Sequence, residues 1–316
     1  MGLIDLATVG AMGYGFKPLR IRRMKQPMRR SVLCLALAVC LAGGSGCSLL
    51  RRGAFSAISP VADNMAKSLQ KQSDVQLVKD GTPAYLLLMD GLLESAPDNP
   101  KLLLAAADAN TAYAAAFVDK ADSERVRAFY AKARDYGLTV LCQNKKFKKA
   151  VKGPIEDFEA AVKTFKKKDV PALYSTATAW VNWIISNSGD VAALAQFPRP
   201  VALMRQVLAL DPGWQNGGAH MFFGIYYAVQ PSGAGRDLEK SKAHFQQAME
   251  LAGPDYLLPR VTYAEFYARY TFDRELYEST LKEVLASEAD KPEFRLINGV
   301  SRIRAQSLLD RVDDYF

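Results

Sequence analysis

Few side chains here have the type and spacing for chemistry, and each group stops short of a catalytic set. His220 and His244 are the two histidines of the chain, 24 residues apart. A zinc or iron site on either would need a second ligand at helical spacing, a histidine four residues on or a cysteine pair, and neither has one. No metal and no cofactor are expected. Ser232-Gly233-Ala234-Gly235-Arg236-Asp237 is glycine-rich and opens a helix, as a phosphate cradle does, but it lacks the Lys-Ser/Thr pair and follows no strand. It reads as an inter-helix loop with Asp237 as N-cap. Cys142 lies beside Asn144 and lysines with no histidine near it in sequence, and there is no Gly-x-Ser-x-Gly elbow. No catalytic residue is assigned. A hydrolase would need a Ser or Cys brought to His220 or His244 by the fold.

The aromatic residues suggest binding instead. Trp180 and Trp183 share one expected helix; Trp214 and His220 flank an Asn-Gly-Gly turn; Phe222, Phe223, Tyr226 and Tyr227 follow within two turns. One helix face cannot hold them all, so some must face a neighbour, a cavity or a partner. Trp180, Trp183, Trp214, His220 and Tyr226 are the candidates for a cleft sheltering an apolar small molecule, with core packing as the competing reading. Tyr263, Phe266, Tyr267 and Tyr270 repeat the ambiguity further on.

Cys47 carries a different chemistry. Arg29-Arg30, an apolar run from Ser31 to Ala42 and then Gly43-Gly44-Ser45-Gly46 lead up to it. A basic end, an apolar stretch and small residues before a cysteine are the order of a secretory signal that ends in lipid attachment. Gly44 stands where bacterial lipoproteins usually carry Leu; Cys40 is a poorer site because Val39 is β-branched. The run from Val32 to Ala42 is 11 residues, about half of the ~20 that cross a bilayer. Residues 1–47 are thus expected to be leader and lipoprotein signal peptide, 48–59 a linker after lipidated Cys47, and 60–316 a folded domain held to a membrane by its lipid anchor. Met28-Arg29-Arg30 opens a compact signal by itself, so Met1, Met24 and Met28 are all candidate starts. Ser48, with no Asp there, fits delivery to the inner leaflet of the outer membrane.

The formal charge of +8 belongs mostly to that leader. Residues 1–47 hold seven basic side chains against Asp5 alone, a net +6, leaving 34 basic and 32 acidic residues, or +2, for the remainder. Nucleic acid as a partner loses its support. Lys145-Lys146-Phe147-Lys148-Lys149, Lys152 and Lys166-Lys167-Lys168 are interleaved with Glu156, Asp157, Glu159 and Asp169, a pattern that reads as a solvated helical face. Cys142 is the one cysteine beyond Cys47, which excludes an internal disulfide in the exported chain.

Nearly every periodic stretch reads as helix, so the fold class is all-α. Helices are expected at 60–72, 82–95, 99–118, 122–141, 154–167, 170–187, 199–210, 216–229, 237–251, 257–270, 273–286 and 293–312. Pro97-Asp98-Asn99-Pro100, Asp211-Pro212-Gly213, Gly253-Pro254-Asp255 and Lys291-Pro292 separate them. Two hairpins fit a degenerate tetratricopeptide pattern, which needs a small residue where two helices cross and an aromatic and an alanine on the second. Gly224 with Ser241, Phe245 and Ala248 is one; Ala107 and Asn110 with Val126, Tyr130 and Ala133 is the other. The expected architecture is tetratricopeptide-like helical hairpins stacked in one α-helical domain, against an irregular bundle.

Trp180-Val181-Asn182-Trp183-Ile184, Leu210-Asp211-Pro212-Gly213-Trp214 with Gly217-Gly218-Ala219-His220, Gln230-Pro231 with the glycine loop and Asp237-Leu238-Glu239-Lys240, Arg295-Leu296-Ile297-Asn298 and the terminal Asp313-Asp314-Tyr315-Phe316 together resemble the T-component family of tripartite ATP-independent periplasmic (TRAP) transporters. The likeness runs over nearly all of residues 55–316. It implies a periplasmic lipoprotein, not an enzyme, that forms a homotrimer, partners the TRAP periplasmic substrate-binding protein and handles a hydrophobic or amphipathic solute. A general tetratricopeptide scaffold for envelope assembly, with no small ligand, is the alternative.

Overall fold

A computed structural model describes residues 64–119, 121–233 and 235–316. Cys47, the leader 1–47, the linker 48–59 and the start of the folded domain at residue 60 lie outside these residues. The described chain is helical, with no strand among the described residues. After a helical stretch at 64–70 come α1 (Val75–Ser95), α2 (Pro100–Phe117), α3 (Ser123–Leu141), α4 (Lys145–Ala150), α5 (Ile155–Val162), α6 (Val170–Ser186), α7 (Val191–Leu194), α8 (Pro198–Leu210), α9 (Trp214–Val229), α10 (Leu238–Ala252), α11 (Leu258–Thr262), α12 (Arg274–Ala286) and α13 (Arg295–Leu309).

Short polar side chains start these helices by satisfying amide groups that have no partner within the helix. Asp74 accepts from the Leu77 amide at 2.9 Å, Asn99 from Lys101 at 3.0 Å ahead of Pro100, and Asp237 from Lys240 at 3.0 Å, the expected cap of α10. The cap at Asp74 starts α1 earlier than residue 82, so Pro83 falls inside the helix. Near that proline, Thr82 Oγ1 donates to the Val78 carbonyl at 2.6 Å. Neither α4 nor α7 was expected. They are six and four residues long, too short for a period to show. The expected helix 257–270 also divides: α11 widens into a π-helical stretch, Tyr263–Ala268, in which Tyr263 and Tyr267 stack at 4.8 Å.

Neighbours in sequence pack as neighbours in space: α1 on α2, α2 on α3, α9 on α10, α12 on α13. The crossings are close because side chains are missing there. Ala107 of α2, Ala133 of α3 and Ala179 of α6 form a fully buried alanine cluster. At the α9–α10 crossing a Cβ on Gly224 would come within 2.8 Å of the Phe245 ring, and Ser241 Oγ donates to the Gly224 carbonyl at 2.7 Å. The largest core cluster joins α4, α5, α6, α8 and α9 through Phe147, Phe158, Leu173, Ile184, Leu203 and Phe223. A second, around Leu257, Tyr277 and Leu281, closes the C-terminal end. There Asn298, wholly buried, accepts from the Leu257 amide at 3.1 Å and donates to the Asp255 carbonyl at 2.8 Å, tying α13 to the turn before α11.

The lysine-rich stretch is a solvated face. Phe147 of α4 is buried while Lys145, Lys146, Lys148 and Lys149 are exposed.

Candidate functional site

The five candidate cleft residues are distributed over the core and its edge. Trp180 is 4% exposed; its indole Nε1 donates to Gln196 Oε1 at 3.1 Å and its ring meets Phe158 edge-on at 6.2 Å. Trp183, one turn on, is half-buried beneath the Arg134 guanidinium, 4.0 Å from the ring centroid. Trp214 begins a turn in which Gln215, Asn216 and Gly217 take φ of 51°, 54° and 80°. This is the expected Asn-Gly-Gly turn, and regular helix resumes after it. Glycine takes this left-handed conformation at no steric cost, but Gln215 and Asn216 do not. Tyr226 stacks on Phe197 at 6.1 Å and on Phe222 at 6.3 Å.

His220 behaves unlike the other four, because the α9–α10 hairpin sets it against the second histidine. The two Nδ1 atoms are 3.0 Å apart, with one ring donating and the other accepting. His244 is therefore half-buried rather than on the surface, stacked on Tyr227 at 5.7 Å with Phe223 at 5.5 Å. Sequence separation concealed this, since 24 residues includes the whole hairpin loop. Desolvation holds both imidazoles below the ordinary histidine pKa, and His220 depresses His244 further. Neither has a serine or cysteine as a hydrogen-bond partner among the described residues. No cluster of three metal-binding side chains occurs among the described residues. The Cys142 thiol is pushed up by burial, the opposite of activation.

A cavity of about 450 Å³ opens elsewhere, between the 64–70 helix, α1, α2 and Leu296 of α13. Val78, Tyr85, Leu104, Ala109, Tyr113 and Phe117 give it apolar walls; Lys101 and Asp108 are its charged members. The five aromatic and histidine candidates are not among its lining residues. Trp183 comes nearest in packing terms, resting on the cluster that contains Tyr113. The α2 stripe at residues 101, 104, 105, 108, 109, 112 and 113 follows helical spacing, so the wall was available in the sequence. Lacking tryptophan or histidine, it gave no sign that its partner was empty space.

Asp108 is the acidic residue of this wall. Its Oδ1 accepts from Ser175 Oγ of α6, and Oδ2 has no hydrogen-bond partner among the described residues. The side chain is exposed to solvent on the cavity wall, yet the protein packed around it pushes its pKa up to about 6 by desolvation, against the lowering effect of Ser175. Tyr174, one residue before Ser175, is raised to about 12 by desolvation and by the Asp108 charge, and stays neutral.

The fold and site define a class first: an all-helical protein of consecutive hairpins with an apolar, solvent-reached cavity. The chain belongs to the TRAP transporter T-component family, whose model matches residues 71–316. It is thereby a component of a TRAP transport system. It is also similar to an uncharacterized protein of Treponema pallidum (strain Nichols), 25% identical over 327 aligned residues that cover 93% of this chain and 99% of that protein. Among the described residues no helix is long and apolar enough to cross a membrane.

Proposed function

We propose that this TRAP component is a non-enzymatic lipoprotein, anchored through Cys47, which docks on the periplasmic substrate-binding protein and holds an amphipathic solute in the cavity between the 64–70 helix, α1 and α2. The observation that carries the solute-holding part is the cavity itself: about 450 Å³ within apolar walls is room for a small ligand, of the size that pockets commonly enclose. In this reading the stacked hairpins are tetratricopeptide-like, supported by the Gly224 crossing with Ser241 and Phe245. Trp180, with Trp183, Trp214 and Tyr226 packed around its cluster, then serves the core rather than the solute, and His220 is held by His244.

The test is displacement of a fluorescent apolar probe, N-phenyl-1-naphthylamine, with Ala109→Trp as the filling variant. The wild type should bind the probe, and Ala109→Trp, with helical content unchanged by circular dichroism, should lose most of that binding. Equal binding by both proteins sinks the placement of the solute. The scaffold alternative draws support from α1, whose Leu77, Leu87 and Leu88 are 58%, 73% and 51% exposed and offer apolar contact to another protein. Co-purification separates the two: a TRAP substrate-binding protein supports the first reading, assembly machinery without it the second.

A further inference from the structure

We propose that the lysine face formed by α4 and residues 163–168 lies against the anionic head groups of a phospholipid membrane. This face is separate from the cavity and does not depend on what the cavity holds.

Two lysine runs, Lys145 to Lys152 and Lys163 to Lys168, are brought together by the fold. Asn144 Nδ2 donates to Thr164 Oγ1 at 3.1 Å, and Phe147 packs on Phe165 with ring centroids 5.4 Å apart. Both rings are buried, which leaves the lysines that flank them at the surface; all nine lysines of residues 145–168 are exposed. Residues 145–169 hold those nine lysines and no arginine against four acids, a net +5. Residues 48–316 as a whole come to +2, so everything outside this face is net −3. The positive charge of the chain beyond its leader is gathered in one place.

The protein does little to neutralise it. Lys167 with Asp211, at 3.4 Å, is the one ion pair of these lysines among the described residues. Asp169 turns back to accept from the Lys166 amide at 2.9 Å. Lys145 stands three and four residues from Lys148 and Lys149, spacings at which like charges repel on a helix. The chemistry of the face favours a membrane over a protein. Stable protein interfaces are anchored by Trp, Tyr and Arg in a desolvated centre and are poor in Lys. Here the aromatic residues, Phe147, Phe158 and Phe165, are buried, and the neighbouring Arg199 is turned to the Val151 and Gly153 carbonyls at 3.0 and 2.7 Å. What remains is a set of hydrated point charges on flexible stems, which gain from a diffuse layer of anionic head groups without giving up their water.

Co-sedimentation of the purified full chain with phosphatidylcholine vesicles, with and without phosphatidylglycerol, is the experiment. One variant combines Lys145→Gln, Lys146→Gln, Lys148→Gln and Lys149→Gln. A control combines Lys71→Gln, Lys79→Gln, Lys242→Gln and Lys282→Gln, exposed lysines elsewhere, and so removes the same charge. All three proteins carry the same leader, so its own attraction is common to them, and circular dichroism should show equal helical content. On phosphatidylglycerol vesicles at low salt the α4 variant should bind about tenfold or more weakly than the wild type, and the control should lose no more than about threefold. Replacing Lys166, Lys167 and Lys168 with Gln should weaken binding as well, since the two runs form one face. The differences should vanish on phosphatidylcholine alone and at about 1 M salt, where charges are screened beyond about 3 Å. Equal losses in the α4 variant and the control, which net charge alone would give, overturn the proposal, as does a difference that survives high salt. Binding of the α4 variant at the wild-type level overturns it too, and turns the face toward an acidic protein.

Discussion

At the scale of single residues, the histidine pair is the feature with the clearest consequence. Desolvation, and for His244 the neighbouring ring, holds both pKa values below the ordinary 6.5, so the unfolded chain takes up protons more readily than the fold. Stability from this pair is therefore complete above about pH 6.5 and declines as pH falls through the depressed native values. Thermal melts between pH 7.5 and 5 should show the midpoint falling, and His244→Gln should flatten part of that fall; an unchanged slope in the variant would place its cause elsewhere. The sequence showed both histidines but not their meeting. What decides a contact between residues 24 apart is the length of the hairpin, and the loop from Gln230 to Arg236 sets that without any periodic signal.

At the scale of elements, helices were legible where burial repeats with the helical turn, and they were missed where the repeat had no room. The Gly224, Ser241, Phe245 and Ala248 crossing could be read because small and aromatic residues alternate in a way that only close approach explains. Its structure gives that spacing a cause: Gly224→Ala would force the Phe245 ring aside and should cost on the order of 1–3 kcal/mol. Asn298 shows the opposite case. It stood in a stretch noticed only for its resemblance to a family, and its reason is a pair of buried backbone groups. Replacing it with Ala leaves the Leu257 amide and the Asp255 carbonyl without partners, so chemical denaturation should report a loss of roughly 2–4 kcal/mol. A loss below about 0.5 kcal/mol would mean that water replaces both bonds.

At the scale of the whole molecule, the fold class followed from periodicity and the family from the order of short motifs, while the cavity did not follow from either. Empty space is made by what neighbouring helices fail to fill, and no residue of α2 records that failure alone. The proposed anchor at Cys47 belongs to this scale as well. Cys47→Ser should abolish incorporation of labelled palmitate and shift the protein from the membrane fraction to the soluble one; acylation that persists in the variant would move the attachment point to another cysteine. The alanine junction of α2, α3 and α6 has a consequence of another kind. Where three methyl groups already touch, shortening a side chain is mild and lengthening one wedges apart every helix that meets there. Substitution at Ala107, Ala133 and Ala179 is thus a one-way street, open toward glycine and closed toward anything bulkier, and the thickness of the shell is fixed by its smallest residues.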